Sequence, residues 1–186
     1  MKIRLSDRTC VCFLTAEEAV VEKLRNRCIE QVLLLAINPL YLLFFILEER
    51  TDNYMLWLAE LFTRAYEVEA ITDMVPPQWK LAVQEDKKSQ LADFDELLKE
   101  LYSVNTELSH FKTVMKFALK FGKFCLQTID DIEDLRDELG LDILKMQHRS
   151  QLTDCIRFVH NRNEVKQDKL DEVLSRLGRQ INVVRS

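Results

Sequence analysis

The chain has 186 residues, of which 26 are Lys or Arg and 31 are Asp or Glu, so its formal net charge is −5. This acidic balance argues against a dedicated nucleic-acid-binding protein, which needs a basic surface. Three Gly and three Pro make up about 3% of the residues, against roughly 12% in ordinary proteins. So few turn-forming residues exclude a many-turned β-sandwich or barrel, whereas 47% apolar and 31% charged residues are typical of a folded chain.

The only strand-like pattern lies in residues 2–14. Ile3 and Leu5, and then the apolar run from Cys10 to Phe13, flank a polar segment that suits a turn. Two short strands are marginally stable by themselves. Residues 1–14 are therefore expected to form a short β-hairpin that leans on helices, or to be the remnant of a lost α/β domain.

Two helices are predicted next. Thr15 and Glu18 have the spacing of a capping box and predict a first helix over residues 16–37. Asn38 is expected to cap a second helix over residues 39–72, with Pro39 at the first position, where a missing N–H costs nothing.

Two longer helices are predicted after a polar stretch. A heptad-like pattern predicts a third helix over residues 92–139, which Gly140 ends. Asp142 is expected to cap a fourth helix, over 142–184, and the short connection makes these two helices antiparallel. The predicted fold class is thus all-α: a single, long antiparallel helical bundle with coiled-coil-like seams over residues 15–186, beside the hairpin.

The seam of the third helix has two series of uncharged core positions. They are Phe94, Leu101, Leu108, Met115, Gly122 and Ile129, and Leu97, Val104, Phe111, Ala118, Cys125, Ile132 and Leu139. Four further apolar residues are expected to widen this stripe, so that at least two other helices pack there: Leu119, Phe121, Phe124 and Leu126. The seam of the last helix becomes polar at His160, Asn163 and Gln167, which indicates either a shift of register or polar groups inside the bundle.

Sixteen residues without a charge, Val32 to Leu47, form the most apolar segment. A membrane-spanning helix needs about 20 residues, and Pro39 interrupts this one. We therefore expect a buried helix junction, with a membrane-dipping segment as the alternative. No signal peptide precedes it, and the five cysteines without a C-x-x-C pair indicate free thiols in a reducing compartment, hence a cytoplasmic protein.

An acidic cluster near the end of the third helix is the one candidate metal site. Asp130, Asp131 and Asp134 match the D-D-x-x-D pattern that holds magnesium against a diphosphate in prenyl synthases, because hard cations bind several oxygens. A second metal motif is missing, so a magnesium-dependent diphosphate enzyme is the weakest interpretation. The simplest interpretation is a solvated acidic face whose charge is compensated by Lys145 and Arg149. A third interpretation is that the cluster binds a divalent ion or a basic partner.

Catalytic constellations are not visible elsewhere in the sequence. His110, His148 and His160 do not have metal-binding spacing, and the three glycines are isolated rather than part of a phosphate loop or nucleophile motif. The chain is therefore expected not to be an enzyme, and no cofactor is predicted with the exception of Mg²⁺ at the acidic cluster.

Several segments, in their order, resemble the cytosolic helical region of fungal CorA-like magnesium transporters. They are Asn38-Pro39-Leu40, Val68 to Thr72, Leu101 to Leu108, Phe117 to Phe124, and Arg176 to Val184, the last resembling the stalk helix. The family's two transmembrane helices and its Gly-Met-Asn motif are absent, so the resemblance implies a truncated relative that is not itself a pore.

The resemblance also implies a mode of action. In the family, the cytosolic part assembles around a symmetry axis and responds to magnesium through acidic contacts between subunits, a role open to residues 130–138. The expected function is a non-enzymatic helical protein with divalent-cation-responsive assembly, whose partners are copies of itself or transporter subunits. A cytosolic scaffold whose acidic cluster docks a basic partner is the alternative.

Overall fold

The computed structural model describes residues 2–4, 9–11, 16–71, 94–138 and 146–185. Helices dominate this part of the chain, and the predicted all-α class is confirmed. The helices are α1 (Glu18–Glu30), α2 (Val32–Ile37), α3 (Tyr41–Ile71), α4 (Phe94–Glu138) and α5 (Met146–Arg185).

Two short strands precede the helices. β1 (Lys2–Arg4) pairs antiparallel with β2 (Thr9–Val11), and Ile3 lies opposite Cys10. Residues 5–8, on which the predicted turn falls, and residues 12–14 lie outside the described residues. The complete hairpin over residues 1–14 therefore stays a prediction.

The first predicted helix differs from the observed one at its start and in its continuity. Glu17 is the N-cap of α1, without a side-chain hydrogen bond, and the helix starts at Glu18. The carboxylates of Glu17 and Glu18 favour a helix start at this position, because negative charge is stabilised at a helix N-terminus. Gln31, at φ −108° and ψ 27°, then separates α1 from α2, where one helix over 16–37 was predicted.

The cap before α3 is as predicted. Asn38 has an extended backbone (φ −147°, ψ 108°), and its Oδ1 accepts a hydrogen bond from the backbone N–H of Leu40 at 3.0 Å. The N–H of Tyr41 donates to the carbonyl of Asn38 at 3.1 Å. Pro39 therefore stands where the first turn of a helix tolerates a residue without an N–H.

The chain divides into two compact units. The first comprises Met1–Arg50 and Lys120–His160, and the second comprises Thr51–Leu119 and Asn161–Ser186. Each of α3, α4 and α5 contributes one segment to each unit. The single bundle predicted over residues 15–186 stays a prediction.

The first unit has a core made by α1, the beginning of α3, the end of α4 and the beginning of α5. Its aromatic side chains come from α3, where Tyr41 and Phe45 have ring centroids 6.3 Å apart. The buried residues of this cluster are Leu24, Leu40, Tyr41, Leu43, Phe44, Phe45, Leu47, Cys125, Ile129, Leu152, Ile156 and Val159.

The second unit has a core made by the remaining segments of α3, α4 and α5. Here α4 is antiparallel to α3, because a later residue of α3 contacts an earlier residue of α4. Tyr54 contacts Phe111 with ring centroids 6.1 Å apart, and Arg64, further along α3, bonds Glu107 at 2.8 Å. The buried residues are Leu58, Leu61, Ala65, Val68, Leu101, Val104, Leu108, Phe111, Met115, Leu170, Val173, Leu177 and Ile181.

The predicted core positions of α4 are observed to be covered. Nine of the eleven whose side chains are described are buried, and Leu97 and Ile132 are half-buried. The expected widening of the stripe is wrong at one position: the Phe124 side chain is exposed, and it stacks on the half-buried Phe121 with centroids 6.2 Å apart. The ring of Phe121 therefore shields part of the Phe124 side chain from water, and no further helix is needed for this contact.

Within the described segments, no helix combines the length and the apolar character that crossing a membrane would require.

Candidate functional site

The acidic cluster lies on the surface of the first unit, in the last turns of α4. Asp130, Asp131 and Asp134 are all exposed. Asp130 Oδ1 accepts a hydrogen bond from Arg149 Nη2 at 2.8 Å, and Asp131 Oδ1 accepts one from Gln127 Nε2 at 2.7 Å. Two of the three carboxylates therefore already have side-chain partners.

The predicted charge compensation by Arg149 is confirmed. Its guanidinium reaches from α5 to Asp130, although both side chains keep much of their exposure, at 42% and 58%. An ion pair this accessible to solvent contributes little stability. Lys145, the second predicted partner, lies outside the described residues.

In the ranges that the structure describes, no group of three or more His, Cys, Asp or Glu side chains is placed to hold a metal ion. A magnesium ion at Asp130, Asp131 and Asp134 stays a prediction, and it would need further oxygen ligands, for example carboxylates of a second copy. The three histidines lie apart: His110 contacts Trp57 with ring centroids 6.2 Å apart, His148 is half-buried, and His160 is buried.

Two of the three polar positions of the α5 seam, His160 and Asn163, are buried, and Gln167 is half-buried. In the first unit, the imidazole of His160 is 7% exposed and packs over Gly122 of α4. In the second unit, Asn163 is fully buried, and its Nδ2 donates to Thr51 Oγ1 of α3 at 3.1 Å. Polar groups therefore do lie inside the helical packing at these positions.

A buried ion pair, which the sequence analysis missed, joins α3 and α5 in the second unit. Arg176 Nε lies 2.9 Å from Glu69 Oε1, and Nη2 lies 3.3 Å from the other carboxylate oxygen. The Glu69 side chain is 1% exposed and that of Arg176 15%. Burial raises the pKa of the Glu69 carboxyl, and the charge of Arg176 opposes this increase only in part. The guanidinium thus compensates the charge of a carboxylate that would otherwise be buried alone, and the pair links α3 to α5 within the second unit.

The apolar segment at α2 overturns the expectation of a buried junction over Val32 to Leu47. The α3 half is buried as expected, but α2 has no buried residue although its sequence is VLLLAI. Leu33 is 77% exposed and Val32 57%. The expectation failed because an apolar sequence shows only that burial would be favourable. It does not show that another segment of the same chain packs over these residues.

The exposed residues form a stripe at helical spacing. Ile29 at the end of α1 is 62% exposed, and the stripe continues on α2 at positions i+3, i+4, i+7 and i+8. Gln31 is shared by the two helices, since its N–H donates to the carbonyl of Arg27 at the end of α1 and its carbonyl accepts from Leu35 at the start of α2. We call this surface the α2 stripe; it consists of Ile29, Val32, Leu33, Ala36 and Ile37.

The spacing of the stripe is the signal that sequence reasoning could have used. Apolar residues at i, i+3, i+4 and i+7 are the pattern that one helix presents to another. Leu34 and Leu35, on the other side of α2, pack against the core of the first unit. The α2 helix thus has apolar residues on two faces, and only one face is used inside the unit.

Comparison of the chain with protein-family models, with curated proteins and with solved structures finds no match.

Proposed function

We propose that this chain is a non-enzymatic, cytoplasmic helical module that acts by binding other protein surfaces, and that its first partner is a second copy of itself, joined through the α2 stripe. The observation that carries the proposal is the stripe itself. Its five apolar side chains recur at helical spacing over the end of α1 and α2, and all five are exposed. Contiguous exposed apolar surface of this kind usually marks an interaction site.

The spacing of the stripe indicates the kind of partner. A face with apolar residues at i, i+3, i+4 and i+7 is covered best by another helix with the same pattern. A second copy supplies such a helix, and two copies related by a two-fold axis would each bury the stripe of the other. The long antiparallel bundle with coiled-coil-like seams is part of the same proposal; the buried core positions of α4 and α5 support it.

Self-association can be tested by sedimentation velocity across a wide range of protein concentration. The wild-type chain should shift from monomer to dimer, and Leu33→Lys should weaken the dimer. The variant loses one buried Leu from each copy, at about 2 kcal/mol per side chain, so the dimer loses about 4 kcal/mol, or on the order of a thousandfold in the dissociation constant. The matched control is Leu56→Lys, because Leu56 is 74% exposed but belongs to α3 in the second unit and not to the stripe. A wild-type chain that stays monomeric contradicts the proposal.

A second candidate function is divalent-cation-responsive assembly, as in the cytosolic part of a CorA-like magnesium transporter. The exposed carboxylates Asp130, Asp131 and Asp134 favour it, because they have room to share a cation with carboxylates of another copy. Millimolar magnesium should increase the dimer fraction relative to EDTA, and Asp130→Asn with Asp134→Asn should remove the increase. Equal sedimentation in magnesium and EDTA would leave the α2 stripe as the sole basis of assembly, with a scaffold function.

A further inference from the structure

An open groove lies in the first unit between the first turns of α3 and the first half of α5. Its volume is about 750 Å³, and Phe44 and Glu48 line it from α3. On α5, the lining residues run from Ser150 to Val159 at intervals that keep them on one face. At 1.5 Å per residue, this face is about 14 Å long.

The groove has an apolar floor and one exposed aromatic wall. Val159 and Phe44 are buried at the floor, with 2% and 9% exposure, whereas Phe158 is 67% exposed at the rim. An aromatic side chain this accessible at the edge of a groove is available for contact with a ligand. Phe158 lies four residues after Asp154, so the ring and the carboxylate are neighbours on the helix surface.

The two charged residues that line the groove are both acidic. Its lining includes the carboxylates of Glu48 and Asp154, and no Lys or Arg belongs to the described lining. Glu48 is paired with Arg27 outside the groove. Asp154 has only long contacts, 3.3 Å to Arg157 Nη1 and 3.3 Å to Ser150 Oγ, and is 65% exposed. It therefore keeps capacity to accept stronger hydrogen bonds from a ligand.

The pKa of the Cys155 thiol is affected by the same two carboxylates. Burial raises its pKa, and the charges of Glu48 and Asp154 raise it further. The two carboxylates therefore act together on the interior of the groove. A cation placed there would be attracted by both.

We propose that this groove docks a basic amphipathic helix of a partner protein, which places an Arg or Lys between Asp154 and Phe158 and an apolar side chain on the floor. Charge complementarity selects the cation, and a guanidinium can bond a carboxylate while it lies over an aromatic ring. The length of the groove matches about two turns of a helix, the usual helix-in-groove mode of recognition. The proposal rests on the proposed function, since it assigns a second surface and a partner class to a binding module.

The test uses the full chain and a fluorescent, amidated peptide of Ala, Leu and Arg, in which Arg and Leu recur four residues apart. A matched peptide has Glu in place of Arg. Fluorescence anisotropy should show binding of the Arg peptide that weakens as salt is added, and no binding of the Glu peptide. Equal binding of the two peptides, or no binding of either, would overturn the proposal.

Substitutions then locate the binding site. Asp154→Asn and Phe158→Ala should each weaken binding about threefold, as expected for an exposed charge pair and an exposed cation–π contact, and Asp154→Lys should abolish it. The controls are Asp168→Asn, an exposed carboxylate further along α5, and Phe117→Ala, which removes a ring that is 65% exposed on α4. Both controls should bind like wild type. Unchanged affinity in Asp154→Asn and Phe158→Ala would overturn the assignment.

The outcome is separable from that of self-association. Leu33→Lys should leave peptide binding unchanged. A wild-type chain that stays monomeric and still binds the Arg peptide would contradict the dimer proposal and support the groove. If Asp154→Lys instead abolishes dimer formation and the peptide does not bind, the groove is a contact between copies, and the docking proposal is wrong.

Discussion

The imidazole of His160 occupies the space that a side chain at position 122 would need. A Cβ atom built on Gly122 would lie 2.7 Å from His160 Nδ1 and 3.3 Å from His160 Cγ. Gly122 is at a core position of α4, and the absence of a Cβ there lets a buried ring of α5 pack directly on the helix backbone.

Gly122→Ala should therefore destabilise the protein although alanine is the better helix former. Overpacking a core costs about 1–3 kcal/mol, against a gain of about 1 kcal/mol in helix propensity. We expect a net loss of about 1 kcal/mol in the free energy of unfolding, measured by urea denaturation followed by circular dichroism.

Two further variants check the cause. Gly178→Ala should be stabilising, because nothing lies within 4 Å of a Cβ at that position. In a His160→Ala background, Gly122→Ala should also become stabilising, since the clash is gone. If Gly122→Ala is equally destabilising with and without the imidazole, the packing explanation is wrong.

The ion pair of Arg176 and Glu69 should be costly to break from one side. Arg176→Met leaves a buried carboxylate without its cation, a change that typically costs about 3 kcal/mol or more. The double variant Arg176→Met with Glu69→Gln should recover most of this loss, because it leaves no buried charge. Urea denaturation of the single and double variants measures the difference, and equal stability of the two would argue that the pair is not buried in solution.

The same pair predicts a dependence on pH. Burial raises the pKa of Glu69 above its value in the unfolded chain, so between the two values the folded state binds more protons. The contribution of this group to stability therefore increases as pH falls through the folded pKa and decreases as pH rises. Arg176→Met should accordingly lose less stability at pH 4 than at pH 7, and Glu69→Gln should abolish that difference.

The buried pair of Asn163 and Thr51 gives a test of polar groups in the seam. Thr51→Val removes the hydroxyl that accepts from Asn163 and leaves a buried amide unpaired, at a cost of about 1–3 kcal/mol. Thr51→Val together with Asn163→Leu should be much closer to wild type, because both polar groups are then gone. Thermal unfolding of the three variants distinguishes these outcomes, and additive losses in the double variant would contradict the model of a coupled pair.

The Cys125 thiol should be inert in the folded protein. Burial raises its pKa to about 12, so at pH 8 only about one molecule in ten thousand carries the reactive thiolate. Iodoacetamide labelling with peptide mass mapping should modify the half-buried Cys28 first and reach Cys125 only after denaturant is added. Rapid labelling of Cys125 under native conditions would show that this part of the core opens.

The sequence predicted the helices well, because periodic apolar residues and caps act locally. The heptad positions of α4 were identified from spacing alone, and the Asn38 cap followed from its place before Pro39. The Glu69–Arg176 pair could not be found in the same way. Its two residues are 107 positions apart in sequence, and no local pattern distinguishes a charge that will be buried from one that will be solvated.

Exposure was the quantity that sequence reasoning judged least well. Val32 to Leu47 is uncharged throughout, yet its second half is mostly core while one face of α2 in its first half is exposed. The difference arises from which side of each helix the rest of the unit covers. That depends on long-range packing, which hydrophobicity alone does not encode.

The first unit cannot fold until late in translation, because it combines an early and a late stretch of the chain. This unit draws on residues 1–50 and 120–160, so its early part emerges from the ribosome long before its late part exists. At 5–20 residues per second, the wait is roughly 5–20 s. During translation, the apolar residues of α3 that belong to this core stay exposed until residue 160 has been made. We therefore expect a chaperone to bind the nascent chain during this interval.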